Sequence, residues 1–409
     1  MSNLFRNRFV QIILLSGLFL QVGIWVRNFA ILLYVMERTG GDPIAISMIS
    51  VAEFAPIFIF SFIGGTFADR WRPKRTMIWC DILSAVSVFV VLLTLVFGTW
   101  KAVFFATLVS AILSQFSQPS GMKLFKMHVP AEQMQAGMSM YQTMFTIFMI
   151  LGPMLGTFVF QTFGINIAIA IMGIAFLLSA GVLLFLPPDH LPDTEKPKDT
   201  LRQDMASGIR YVLSKKVLTL LGLCFMAAGL GLGLIQPLSI FLVTERLGLD
   251  KEFLQWLLTI NGIGMFLSGA LVMIFAKSVA PQKLLMLGMF IDVVGISLSG
   301  FSTQLWLTLA AQFICGMALP CIQIGINTLI LQHTEGDFIG RVNGILSPLF
   351  VGSMVVTMSI AGMLKEMLSL TVLFQVAALL FAVGLLFILP LSRSYAQKEA
   401  IEPLTEKGA

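Results

Sequence analysis

Twelve mostly apolar runs, each about 20 residues or longer, follow one another along this chain and decide what it can fold into. They lie at about 9–36, 44–67, 75–97, 102–122, 135–161 and 165–187, then at about 216–243, 252–276, 282–301, 304–331, 340–364 and 369–391. Hydrocarbon offers no partner for backbone N–H and C=O groups, so a run of this length must pair them within itself, as a helix. Composition agrees: 57% of the 409 residues are hydrophobic and 11% are charged, against about 25% charged in soluble domains. The expected fold class is an all-α polytopic membrane protein, with the lipid bilayer as its first partner.

The runs fall six and six about one polar stretch, Pro188 to Lys215, which holds nine charged residues between Asp189 and Arg210. This predicts an N-terminal bundle (1–187), a cytoplasmic linker with a surface helix near its end (188–215), a C-terminal bundle (216–392) and a cytoplasmic tail (393–409). Arg6 and Arg8 precede a first run that continues to Tyr34 without a small-x-small cleavage site, so it reads as a transmembrane helix. With both termini inside, 20 of the 26 Lys and Arg residues fall on the inner side. Five fall outside (Arg38, Lys101, Arg246, Lys251 and Lys365), and Arg27 lies within a span. The positive-inside rule therefore places both termini in the cytoplasm, in a bacterial-type inner or plasma membrane. Topology also accounts for the formal charge of +5, so no nucleic-acid partner is expected.

The remaining chemistry is sparse. Cys80, Cys224, Cys315 and Cys321 lie inside apolar runs without paired spacing and read as small core residues. No phosphate-binding G-x-x-x-x-G-K-[ST] loop occurs, and His128, His190 and His333 have no metal spacing. No cofactor, no metal and no enzymatic activity are expected. A faint internal repeat is visible, in which Pro119 and then His128 close the fourth run while Pro320 and then His333 close the tenth. Parallel six-span repeats with a midplane substrate site are the plan of one large transporter architecture.

Between the second and third runs, Gly64 to Arg75 packs five charged residues and a proline into the seven positions from Asp69 to Arg75. Its pattern Gly65-x-x-x-Asp69-Arg70-x-x-x-Lys74-Arg75 resembles motif A of the major facilitator superfamily, and the twelve spans with a central linker extend the resemblance to the whole chain. Gly152-Pro153-Met154-Leu155-Gly156 is similar to the antiporter motif of drug exporters. Tyr34 to Gly40, Met77 to Asp81 and Gly340-Arg341-Val342 resemble the bacterial macrolide-efflux branch. The resemblance implies two six-helix bundles with pseudo-two-fold symmetry and a motif A gating loop. In that loop Asp69 is expected to meet the start of span 11 near Gly340 and Arg341, favouring the state closed to the cytoplasm. Arg72-Pro73 departs from the usual Gly-Arg of the motif. Ser110 stands near the place where many such exporters carry an arginine in the fourth span.

Without an ATP site, transport energy must come from an ion gradient, which needs ionisable groups within the membrane. Such groups are costly there and are functional candidates by default. The chain has four: Arg27, Glu53, Asp81 and Asp292. Arg27 and Glu53 fall at nearly the same depth, about 12–15 Å below the outer surface. They can form a structural ion pair, or Glu53 can exchange a proton or a cationic substrate for Arg27. Asp81 can hold a motif A arginine or bind a proton. Asp292 has no cation at its depth and is either a neutral acid or a proton site. Trp25, Phe54, Phe58, Tyr141, Phe145 and Trp256 are candidates for an aromatic cavity wall. Asn28, Gln142, Gln236, Asn261, Gln323 and Asn327 are its polar candidates. The function that follows is proton-coupled export of amphipathic small molecules (multidrug or macrolide type, hence antibiotic resistance) by a monomer through alternating access. A dedicated exporter of a metabolite or siderophore is the alternative, and a non-transporting sensor or scaffold is disfavoured.

Overall fold

The apolar runs become helices whose ends are set by glycine, proline and charge. The computed structural model describes residues 8–97, 100–129, 131–187, 201–275 and 279–405. The side chains of 61–70, 131–136, 392–405 and a few single positions also lie outside that description. The helices are α1 (Arg8–Arg38), α2 (Pro43–Arg70), α3 (Pro73–Val96), α4 (Ala102–His128), α5 (Ala131–Leu184) and α6 (Leu201–Ser214). They continue with α7 (Lys216–Ile235), α8 (Leu254–Phe275), α9 (Pro281–Phe301), α10 (Leu305–His333), α11 (Ile339–Met367) and α12 (Leu370–Thr405).

Among the described residues 11 helices are long and apolar enough to cross a membrane. One of them is two crossings. The 54 residues of α5 would reach about 80 Å, far beyond a core of about 30 Å. Its backbone breaks at Gly164, where φ is 74° and ψ is 178°. That conformation favours glycine, and it falls between the fifth and sixth predicted spans. Twelve crossings result, as expected.

The seventh span needs correction. Sequence predicts one helix over 216–243, but α7 ends at Ile235. A short turn follows at Ser239–Phe241, then a π turn at Leu242–Arg246. Pro237 is the reason, since it has no N–H to continue the helix and its ring collides with the carbonyl four residues earlier.

The chain divides into two compact units, one of residues 1–198 with 250–259 and one of 199–249 with 260–409. Within the first, Lys251 pairs with Glu37 at 2.9 Å, and the Thr259 hydroxyl donates to the Ile150 carbonyl at 3.0 Å. Ile31, Val88, Val103, Ile169 and Met172 are buried together in one core cluster of this unit. In the second unit, glycines let helices meet backbone to backbone. A Cβ on Gly229 or Gly233 of α7 would strike the Phe350 and Met354 carbonyls of α11. One on Gly264 of α8 would strike the Phe313 carbonyl of α10. Lipid tails are as apolar as leucine, so dispersion and close approach of this kind hold membrane helices together.

The amphipathic helix α6 belongs to the second unit and lies on the start of α11. The Tyr211 ring stacks on Phe338 at 4.2 Å, its hydroxyl accepts from the Glu335 N–H at 3.1 Å, and Lys215 pairs with Glu335 at 3.7 Å. The two repeat histidines close their helices alike. The Nδ1 atoms of His128 and His333 bond the carbonyls four residues back, Leu124 at 3.1 Å and Leu329 at 3.0 Å.

Candidate functional site

A tight turn with positive φ at Gly40 (65°) and Gly41 (87°) reverses the chain between α1 and α2. The reversal brings Arg27 and Glu53 to one level, where four side chains join. The Arg27 guanidinium lies 3.8 Å from the Glu53 carboxylate. Asn28 bridges them, donating its amide to Glu53 at 2.9 Å and accepting from Arg27 Nε at 2.9 Å. A further Arg27 nitrogen donates to the Ser110 hydroxyl of α4. Arg27 from α1 therefore sends its cation to the place on α4 where the resemblance leads one to look for an arginine. Sequence reading named Ser110 only as standing near the usual place of an arginine and not as a partner of Arg27, because a serine carries no charge signal.

The two ends of this network differ. The Arg27 side chain is 5% exposed, whereas that of Glu53 is 26% exposed. A buried cation needs hydrogen bonds and a counter-charge, and Arg27 has both. Glu53 stays partly exposed while still answering Arg27. Chemically the arrangement can exchange one cation for another at a single carboxylate.

Asp81 sits in a second constellation of the same unit. Ser179 donates to its carboxylate at 2.6 Å, and Ser16 in turn bonds Ser179 at 2.8 Å. All three are buried. Neither Arg72 nor Arg75 is among the described partners of Asp81, and the side chain of Arg70 lies outside the described residues; the Ser179 hydroxyl of α5 bonds the carboxylate and is itself bonded by Ser16 of α1. Asp292, half-buried on α9, has no ion pair or hydrogen bond among the described residues.

The Gly152-Pro153-Gly156 segment forms a close helix crossing. A Cβ on Gly152 would enter the Trp25 ring, and one on Gly156 would lie 2.7 Å from the Trp25 carbonyl and 2.6 Å from Phe29 Cβ. Trp25, stacked on Phe29 at 6.1 Å, is thus packing between α1 and α5. Tyr141 is half-buried against Gly17. Phe54 is half-buried, and Phe58, Gln142, Phe145 and Trp256 are exposed. In the second unit Asn261 is tied to α10, donating to the Gln312 carbonyl at 3.1 Å. Gln236 buries its carbonyl oxygen without a described partner. Gln323 and Asn327, one turn apart on α10, are both exposed.

In the loop after α2, the side chains of Gly65, Asp69 and Arg70 lie outside the described residues. Lys74 reaches the end of α5, where it donates to the Leu184 carbonyl at 2.9 Å and also to that of Leu186. A cation there satisfies carbonyls that no further helical turn can reach. Arg75 is exposed on the first turn of α3. Gly340 is open, and Arg341 lies over the Phe338 ring at 5.2 Å.

Helices of membrane length, few embedded charges and two compact units define a polytopic membrane protein of transporter architecture. The chain belongs to the Major Facilitator Superfamily, which residues 13–244 and again 221–408 match. It is 26% identical to the MFS-type transporter YkuC of Bacillus subtilis over 88% of this chain and 86% of that one. It is also 26% identical to the multidrug efflux pump Tap of Mycolicibacterium fortuitum, over 75% of this chain and 78% of the pump. To the macrolide efflux protein A of Streptococcus pyogenes it is 21% identical, over 78% of this chain and 79% of that protein. Among solved structures, the nucleoside transporter NupG superposes with a TM-score of 0.74 at 14% identity, covering 95% of this chain and 99% of that one. That likeness is one of fold.

Proposed function

We propose that this superfamily transporter exports lipophilic or amphipathic compounds in exchange for protons, with Glu53 as the coupling acid and Asp292 as a second candidate. The observation that carries the reading is the half-open Glu53 carboxylate closing a network on buried Arg27. A proton arriving at Glu53 removes the charge that balances Arg27 and so changes the preferred arrangement of α1, α2 and α4. A ligand with a positive group makes the opposite exchange. Similarity to an efflux pump and to a macrolide efflux protein supports the direction of transport and an apolar class of substrate. The exposed aromatic and amide side chains of α2 and α5 suit a surface that accepts several shapes.

The same reading takes 1–187 and 216–392 as the moving bundles of a monomer, 188–215 as the linker and 393–409 as the tail, with both termini in the cytoplasm. The motif A loop tunes the cycle, and Asp81 stabilises its bundle.

The deciding experiment is efflux of a fluorescent lipophilic compound from cells, with and without a proton uncoupler. Export is expected to stop with the uncoupler, and Glu53→Gln is expected to abolish it while the protein remains inserted. Export that survives the uncoupler sinks proton coupling, and normal export by Glu53→Gln removes Glu53 from the mechanism.

A further inference from the structure

Away from the Arg27 network, a cavity of about 590 Å³ opens on the side of the first unit, between the start of α3 and α4. Its α3 wall is formed by Arg75, Trp79 and Leu83, which follow one another at helical spacing on one face, with Arg72 just before the helix. Leu113 and Phe116 of α4 face them. The slot is graded: two guanidinium groups stand at its loop end, and only apolar side chains line the other.

We infer that this slot holds one phospholipid with an anionic headgroup. Three observations carry the inference. First, neither Arg72 nor Arg75 has an acidic partner among the described residues, so two cations that favour bidentate contact with phosphate oxygens face the slot. Second, Trp71 lies at this same end, stacked on Phe116 at 6.0 Å, and indoles concentrate at the level of lipid headgroups. Third, the dimensions match one leaflet. Pro73 to Leu83 covers about 15 Å of helix, and half the hydrocarbon core is about 15 Å. Trp79 is 60% exposed and Leu83 48%, so the slot is open along its length to an acyl chain arriving from the bilayer. Lys74 does not contribute, because its ammonium is engaged at the end of α5.

A phosphate seated on Arg72 and Arg75 would touch the first turn of α3, where the motif A segment ends. Lipid composition would then act on that loop without a contact to the transported compound.

The test uses the full-length protein in detergent with phosphatidylglycerol, phosphatidylcholine or inorganic phosphate, counting bound lipid by native mass spectrometry. One phosphatidylglycerol per chain is expected to be held in preference to phosphatidylcholine. Arg72→Gln with Arg75→Gln is expected to weaken it about 30-fold, the effect of removing two cations beside anionic lipid. Leu83→Trp leaves both charges in place and is expected to expel the lipid by filling the acyl end. Equal retention by wild type and Leu83→Trp overturns the inference, as does an absence of preference between the two lipids in the wild type. Displacement of the lipid by inorganic phosphate, with Leu83→Trp without effect, would make this a soluble-anion site and overturn it too. Retention that responds only to a lipophilic amine would make it a substrate groove, with the same consequence.

Discussion

Arg27, Asn28, Glu53 and Ser110 form a unit in which no member is indifferent to the others. Removing only the cation leaves Asn28 and Glu53 facing a void, and removing only the acid leaves a buried guanidinium on neutral partners. Breaking a buried pair from one side costs about 3–5 kcal/mol. Arg27→Ala is therefore expected to lower thermal stability in detergent by several degrees. Arg27→Ala combined with Glu53→Gln is expected to recover part of that loss, because no uncompensated charge remains. If the double variant is less stable than Arg27→Ala, the pair does not act as a unit. Arg27→Lys is expected to fail as a substitute, since one ammonium cannot serve Asn28, Glu53 and Ser110 in the geometry of a planar fork. Sequence revealed Arg27 and Glu53 because charges in apolar runs are conspicuous and their depths can be counted. It did not reveal the contacts of Ser110, Ser16 or Ser179, because serines are common in membrane helices and their importance depends on what they face.

Between helices, small residues decide the contacts. Gly156 stands where α1 passes across α5, so Gly156→Leu is expected to destabilise the first unit by about 1–3 kcal/mol through overpacking. Gly181, whose added Cβ would meet nothing within 4 Å, provides the control. Gly181→Ala is expected to leave the unfolding temperature unchanged; an equal loss in both variants would show that the crossing is not tight. At Gly164 the left-handed backbone makes Gly164→Ala costly by about 1–2 kcal/mol even though space is open. The break in α5 at Gly164 falls between two predicted spans, whereas Pro237 ends α7 earlier than its apolar run predicts. The docking of α6 through Tyr211 on Phe338 was not traceable, since a polar linker does not reveal which helix end it will cover.

For the molecule as a whole, the distribution of charge makes a topological claim. Lys101 and Lys216 are both exposed and lie on opposite sides in the expected orientation. A cysteine replacing Lys101 should react with an impermeant maleimide in intact cells, and one replacing Lys216 only after permeabilisation. The reverse pattern would invert the assignment of both termini. The number of crossings and the family were legible in the sequence alone, because hydrocarbon forces each long apolar run to satisfy its own backbone. Hydropathy therefore determines secondary structure locally, run by run. Which face each helix turns to its neighbour is not local. It depends on rotation about the helix axis and on where a glycine admits a ring or a carbonyl. Only the tertiary structure therefore decided that Arg27 answers Ser110 as well as Glu53, that the Ser179 hydroxyl bonds Asp81, and that Trp25 packs against Gly152.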